Sequence, residues 1–113
     1  MSALRVFPPV ADALAWSRPI VALESSVLAQ GLPIPSNREA LDRMTAAVGR
    51  AGALAAVTAV VHGSCTLGLD QEEMERFLAR DGIRKVSARD LPLAMAQSAD
   101  GATTVAEIGR AHV

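Results

Sequence analysis

The sequence predicts an α/β domain with a largely parallel sheet, and three observations predict it. Two short apolar runs rich in β-branched residues, Ile20-Val21-Ala22-Leu23 and Ala56 to Val61, have the composition of buried strands. They alternate with stretches whose apolar residues recur at helical spacing. The 113 residues are 50% hydrophobic and 20% charged, which suits one packed domain and argues against disorder.

Pro8-Pro9 opens a helical pattern from Val10 to Trp16 with Ala11, Leu14 and Ala15 on one side. Arg18-Pro19 ends it, because proline disfavours helix in the residue before it. The strand Ile20 to Leu23 follows and leaves Glu24-Ser25-Ser26 at its carboxyl end. Gly31-Leu32-Pro33-Ile34-Pro35 is a rigid loop, since each proline fixes φ. Ser36 is the expected N-cap of a helix to Arg50, with Glu39 as its capping-box partner and Leu41, Met44 and Val48 as the apolar face.

The second strand, Ala56 to Val61, ends in His62-Gly63-Ser64. Asp70 caps a third helix with Glu73 at the capping-box position, burying Met74, Phe77 and Leu78 and stopping at Gly82. Ile83 to Ser87 forms a short strand. Asp90 then caps a helix from Leu91 to Ala99, and Asp100-Gly101 makes a turn.

Charge and composition remove several function classes. A net charge of −1, no tyrosine, two Phe and one Trp offer neither an electrostatic footprint nor a stacking surface for nucleic acid. The lone Cys65 forms no internal disulfide and suits a reducing compartment. No signal-peptide pattern follows Met1, and the apolar run Ala53 to Val61 is far short of a membrane span, so a cytoplasmic protein without a membrane partner is expected. Walker, Gly-x-Gly-x-x-Gly, Gly-x-Ser-x-Gly and Cys-x-x-Cys motifs are absent.

Four places could carry chemistry. Glu24 stands at a strand's carboxyl end, where open α/β sheets bind ligands, and burial would make it a general acid. Capping a helix or pairing with an arginine is the competing role. Lys85, in Arg84-Lys85-Val86-Ser87-Ala88-Arg89-Asp90, adds a cation near a helix start that could hold phosphate; a solvated surface run competes. Gly101-Ala102-Thr103-Thr104-Val105 could approach a ligand closely, or be an ordinary turn. His62 is accessible, but with His112 the only other histidine it lacks partners for a metal site, and Cys65 has no assignable base.

In order, Val21-Ala22-Leu23-Glu24-Ser25, Gly31 to Asn37, Lys85 to Pro92 and Gly101 to Val105 resemble the motifs of the pseudouridine-5′-phosphate glycosidases, the indigoidine synthase A-like family. The resemblance covers Ala11 to Ala106 and favours the functional roles of Glu24 and Lys85. It implies a three-layer α/β/α sandwich, truncated here, and a homotrimer. It also implies reversible cleavage of the C–C glycosidic bond of pseudouridine 5′-phosphate to uracil and ribose 5-phosphate, with a divalent metal, usually manganese. By resemblance Glu24 is the proton donor, while Lys85 and the backbone at Val105 bind substrate.

A C–C glycosidic bond has no basic leaving oxygen. Opening the sugar and forming a lysine Schiff base would supply the electron sink. No residue of this chain matches that lysine or the metal-binding aspartate. Gln30-Gly31 replaces the family's usual His-Gly, and His62 stands where a small or acidic residue is common, which bears on fine substrate contacts.

Residues 1–106 are therefore expected to be the amino-terminal part of the domain. Residues 107–113 read like the translation of a common sequencing adapter and are expected to be non-native. Other classes the sequence admits are a noncatalytic phosphosugar-binding module and a fragment that joins a homologue's trimer.

Overall fold

The computed structural model describes residues 4–105; the expected non-native tail, 107–113, lies outside them, as does His112. The elements are β1 (Arg5–Val6), α1 (Pro8–Ala15), β2 (Ile20–Glu24), a π-helical turn (Val27–Gly31), α2 (Ser36–Arg50), β3 (Leu54–Val61), β4 (Ser64–Leu67), α3 (Gln71–Ala79), β5 (Arg84–Lys85), a 3-10 turn (Ala88–Asp90), α4 (Leu91–Ala96) and β6 (Gly101–Ala102).

β3 organises the sheet. Its six residues from Ala56 to Val61 are all buried, as a continuous apolar run requires. Thr58 pairs with both Glu24 and Leu67, so β2 and β4 lie on opposite edges of β3. Ala59 and Val60 pair with β4 on one edge and with Ala102 and Gly101 on the other. β2 and β6 therefore share one edge of β3, β2 along its first half and β6 along its second. β2 runs parallel to β3 and β6 antiparallel to it, so their carboxyl ends meet head-on beside Thr58 and Ala59. β5 lies outside β6 and parallel to it, and β1 lies outside β4, also parallel.

The α/β class holds, with a mixed sheet. Two pairings are antiparallel, β3 with β4 and β3 with β6. The first arises because His62-Gly63 is a two-residue hairpin turn rather than an open strand end. Both residues have positive φ, 48° and 79°, the backbone of a type I′ turn. A Cβ on Gly63 would stand 2.6 Å from the Met95 carbonyl oxygen, so the hairpin packs too closely on the end of α4 for any other residue.

Alternation along β3 divides the core. Val57, Ala59 and Val61 face Leu28, Leu41, Phe77 and Leu78 from the π-helical turn, α2 and α3. Val60 faces Cys65, Val86, Leu91 and Ala94, under α4. Helices thus cover both faces of the sheet, the three-layer arrangement.

The Asp70–Glu73 capping box is present, with amide contacts of 2.8 and 3.0 Å. The Ser36–Glu39 box is not: Pro35 precedes the helix and no side chain caps it. α3 ends before Gly82, at Arg80 in a left-handed conformation (φ 62°). Asp90 does not cap α4; its carboxylate accepts from the Ser87 hydroxyl and amide, opening the 3-10 turn one step earlier. α4 stops at Ala96, three residues short of Ala99. α1 buries Val10 and Ala13 and leaves Leu14 55% exposed, so its inner face is rotated from the expected one.

Candidate functional site

The convergence of strand ends creates a cleft of about 460 Å³, an ordinary size for a small-ligand site. β2 contributes Glu24, followed by Ser26. The π-helical turn adds Val27, Gln30 and Gly31. β5 contributes Lys85, followed by Val86 and Ser87, and β6 contributes Ala102, followed by Thr104. The sequence thus placed Glu24 and Lys85 separately, and the topology brings them to one cleft. A groove of about 550 Å³ between α2 and α3 is larger, but its Arg38 and Glu75 already form an ion pair.

Neither Glu24 nor Lys85 is in an ion pair or side-chain hydrogen bond among the described residues. The helix-capping or arginine-pairing role that competed for Glu24 is absent there. Both side chains are exposed, so residues 4–105 do not supply the burial on which the general-acid expectation for Glu24 rests. Lys85 does not sit at an open helix start. The Ser87 amide is occupied by Asp90, whose carboxyl is held below its ordinary range by the Ser87 hydroxyl first, then the Ser87 amide and Arg89. An anion in the cleft would meet the Lys85 ammonium rather than a helix end.

Val105 is 40% exposed and does not line the cleft; its neighbour Thr104 does. His62 lies outside the cleft in the hairpin turn, its amide donating to Asp100 Oδ1 at 2.8 Å. Cys65 is buried on β4, and burial pushes its thiol pKa up, which keeps it protonated and poorly nucleophilic. Among the described residues no three His, Cys, Asp or Glu side chains gather as a metal site.

Three buried polar residues around the cleft escaped the sequence reading. Ser25 Oγ accepts the Thr103 amide at 2.9 Å. Asn37 Nδ2 donates to the carbonyls of Leu28 and Leu78 at 3.0 and 2.9 Å. Thr103 keeps a buried hydroxyl, Oγ1, without a partner among the described residues. Replacing a lone buried hydroxyl by a methyl of the same shape removes a desolvation cost. Thr103→Val is therefore expected to leave thermal stability unchanged or raise it by up to about 1 kcal/mol. A loss of that size in a melting experiment would instead reveal a bonded hydroxyl.

The comparisons with known proteins agree with the motifs. The family model for indigoidine synthase A like protein matches residues 9–111. A pseudouridine-5′-phosphate glycosidase of Gemmatimonas aurantiaca is 62% identical over 102 residues, covering 90% of this chain and 33% of that protein. Its counterpart in Escherichia coli is 41% identical over 105 residues, covering 91% and 33%.

Among solved structures, a prealnumycin C-glycosynthase in complex with ribulose 5-phosphate superposes with a TM-score of 0.81 at 37% identity, over 99% of this chain and 37% of that one. An indigoidine synthase A-like protein of Thermotoga maritima gives 0.74 at 28%, over 94% and 34%. The chain spans about a third of the length of the curated relatives it matches. On motif order, fold and family match together, the chain belongs to the indigoidine synthase A-like family.

Proposed function

We propose that this chain supplies the phosphosugar-facing part of a pseudouridine-5′-phosphate glycosidase. The reaction adds water across the C–C glycosidic bond. The bond between the sugar's anomeric carbon and the uracil ring breaks, the ring carbon takes a proton, and the sugar leaves as ribose 5-phosphate. Glu24 donates a proton at the cleft rim, and Lys85 holds the sugar phosphate as a point charge. The observation that carries this reading is that a carboxylate and an ammonium, neither of them paired among the described residues, line one cleft at converging strand ends. Relatives named for this activity and a structural neighbour holding a phosphorylated ketose support it.

The family's divalent cation, expected to be manganese, finds no ligand set among residues 4–105, so no step here runs through it. A homotrimer and a cytoplasmic location go with the proposal; no helix among the described residues is long and apolar enough to cross a membrane. The chain alone is expected to bind ribose 5-phosphate without releasing uracil from pseudouridine 5′-phosphate. Lys85→Ala should weaken binding at least about tenfold, the loss of one charge-assisted contact. Calorimetry and chromatographic detection of uracil check both. Wild-type affinity in Lys85→Ala would remove Lys85 from the site, and uracil release by the pure chain would show that the catalytic set is complete.

A further inference from the structure

β2 and β6 approach each other end to end, so no strand ladder aligns their tips. A single buried side chain completes the junction. Ser25 is fully shielded, its Oγ accepts the Thr103 amide at 2.9 Å, and its hydroxyl faces the Thr103 carbonyl at 3.4 Å. The Ser25 and Ser26 amides donate to that same carbonyl at 3.0 and 3.2 Å. The carbonyl side of the junction is therefore held by backbone, whereas the Thr103 amide depends on the Ser25 hydroxyl. Glu24 precedes Ser25, and Ala102 and Thr104 flank Thr103, so the junction separates the two walls of the cleft by one residue on each side.

We infer that Ser25 is a positioning residue: its buried hydroxyl locks the tips of β2 and β6 together and so sets where Glu24 stands relative to Lys85 and Thr104. Serine suits the place because one buried hydroxyl both accepts and donates. Ser25 is no nucleophile, since its oxygen is sealed from the cleft and its bonds go to Thr103. Catalytic groups need a supporting contact of this kind, because displacements near 1 Å already cost rate and affinity.

The test uses the full chain, isotopically labelled, with Ser25→Ala and Ser25→Cys. In Ser25→Ala the Thr103 amide should exchange with solvent about tenfold faster or more, while Ala59 and Val60 in β3 keep their rates. The Glu24 side-chain carboxyl resonance should shift, which a uniform loss of stability would not produce. The dissociation constant for ribose 5-phosphate should rise about fivefold or more. The Ser25→Cys thiol is a weak acceptor and should restore part of each effect.

Wild-type exchange at Thr103 and an unmoved Glu24 signal in Ser25→Ala would overturn the assignment. Should Ser25→Ala not fold, a wild-type Glu24 signal and affinity in Ser25→Cys would do the same. Affinity depends on the phosphosugar reading above, and amide exchange does not. If the wild-type chain ignores ribose 5-phosphate, that reading fails while exchange and the Glu24 signal still judge Ser25.

Discussion

Asn37→Ala is expected to destabilise the chain by about 3 kcal/mol, lowering its melting midpoint by on the order of 15 °C. Asn37 is buried at the start of α2, and its amide group bonds three ways. Nδ2 donates to the Leu28 carbonyl in the π-helical turn and to the Leu78 carbonyl near the end of α3, and Oδ1 accepts the Arg38 amide. Truncation leaves two carbonyls in the core without donors, each costing about 1–3 kcal/mol and not fully additively. Asn37→Asp should be worse, because a carboxylate would face both carbonyl oxygens. The effect should also reach the cleft, since Val27, Gln30 and Gly31 lie on the turn that Asn37 pins. Thermal melts followed by circular dichroism check the stability. A loss below about 1 kcal/mol would mean that Leu28 and Leu78 find other donors.

Asn37 also shows what the sequence could and could not reveal. It stood inside a recognised motif, yet its partners at Leu28 and Leu78 are 9 and 41 residues away, beyond any local pattern. Ser25 and Thr103, 78 residues apart, were hidden for the same reason. Features held within one turn of chain were legible: the Asp70–Glu73 box, the buried run of β3 and the position of Glu24 at a strand tip.

β6 and β1 escaped because two residues carry no periodicity, and their pairing is decided by tertiary contacts. β4 was readable in principle. His62-Gly63 can form a type I′ turn, but it lacks the Asn or Asp that usually announces one, and Ser64 to Leu67 is short. Motif order supplied Glu24 and Lys85. Only the head-on approach of β2 and β6 explains why residues so far apart in sequence share one cleft.

That approach depends on where β6 begins, and Asp100 sets its start. The Asp100 carboxylate accepts the His62 amide at 2.8 Å and Arg76 Nη1 at 2.5 Å, and its carbonyl accepts the Arg84 amide at 3.0 Å. The β3–β4 hairpin, α3 and β5 are thereby gathered at the residue preceding Gly101. Burial alone would push the Asp100 carboxyl up; the His62 amide, the Arg76 guanidinium and the His62 ring outweigh it and hold the group below the ordinary carboxylate range. Arg76 is shifted up by the same bond.

With side chains 13% and 28% exposed, the Asp100–Arg76 pair lies between a surface and a buried bridge. Asp100→Ala should cost about 2 kcal/mol, while Asp100→Asn keeps an acceptor for His62 and should cost less. The folded carboxyl titrates below its unfolded value of about 3.9, so its contribution is complete above that pH and fades as pH falls through the folded value. Denaturant melts should show wild-type stability dropping more steeply than that of Asp100→Asn below about pH 4, and equal slopes there would show that the Arg76 bond contributes little. Loss of Asp100 should also weaken ribose 5-phosphate binding without any contact to the ligand. The ordinary surface pair Arg38–Glu75, deleted as a control, should leave that affinity unchanged, because it anchors neither β5 nor β6.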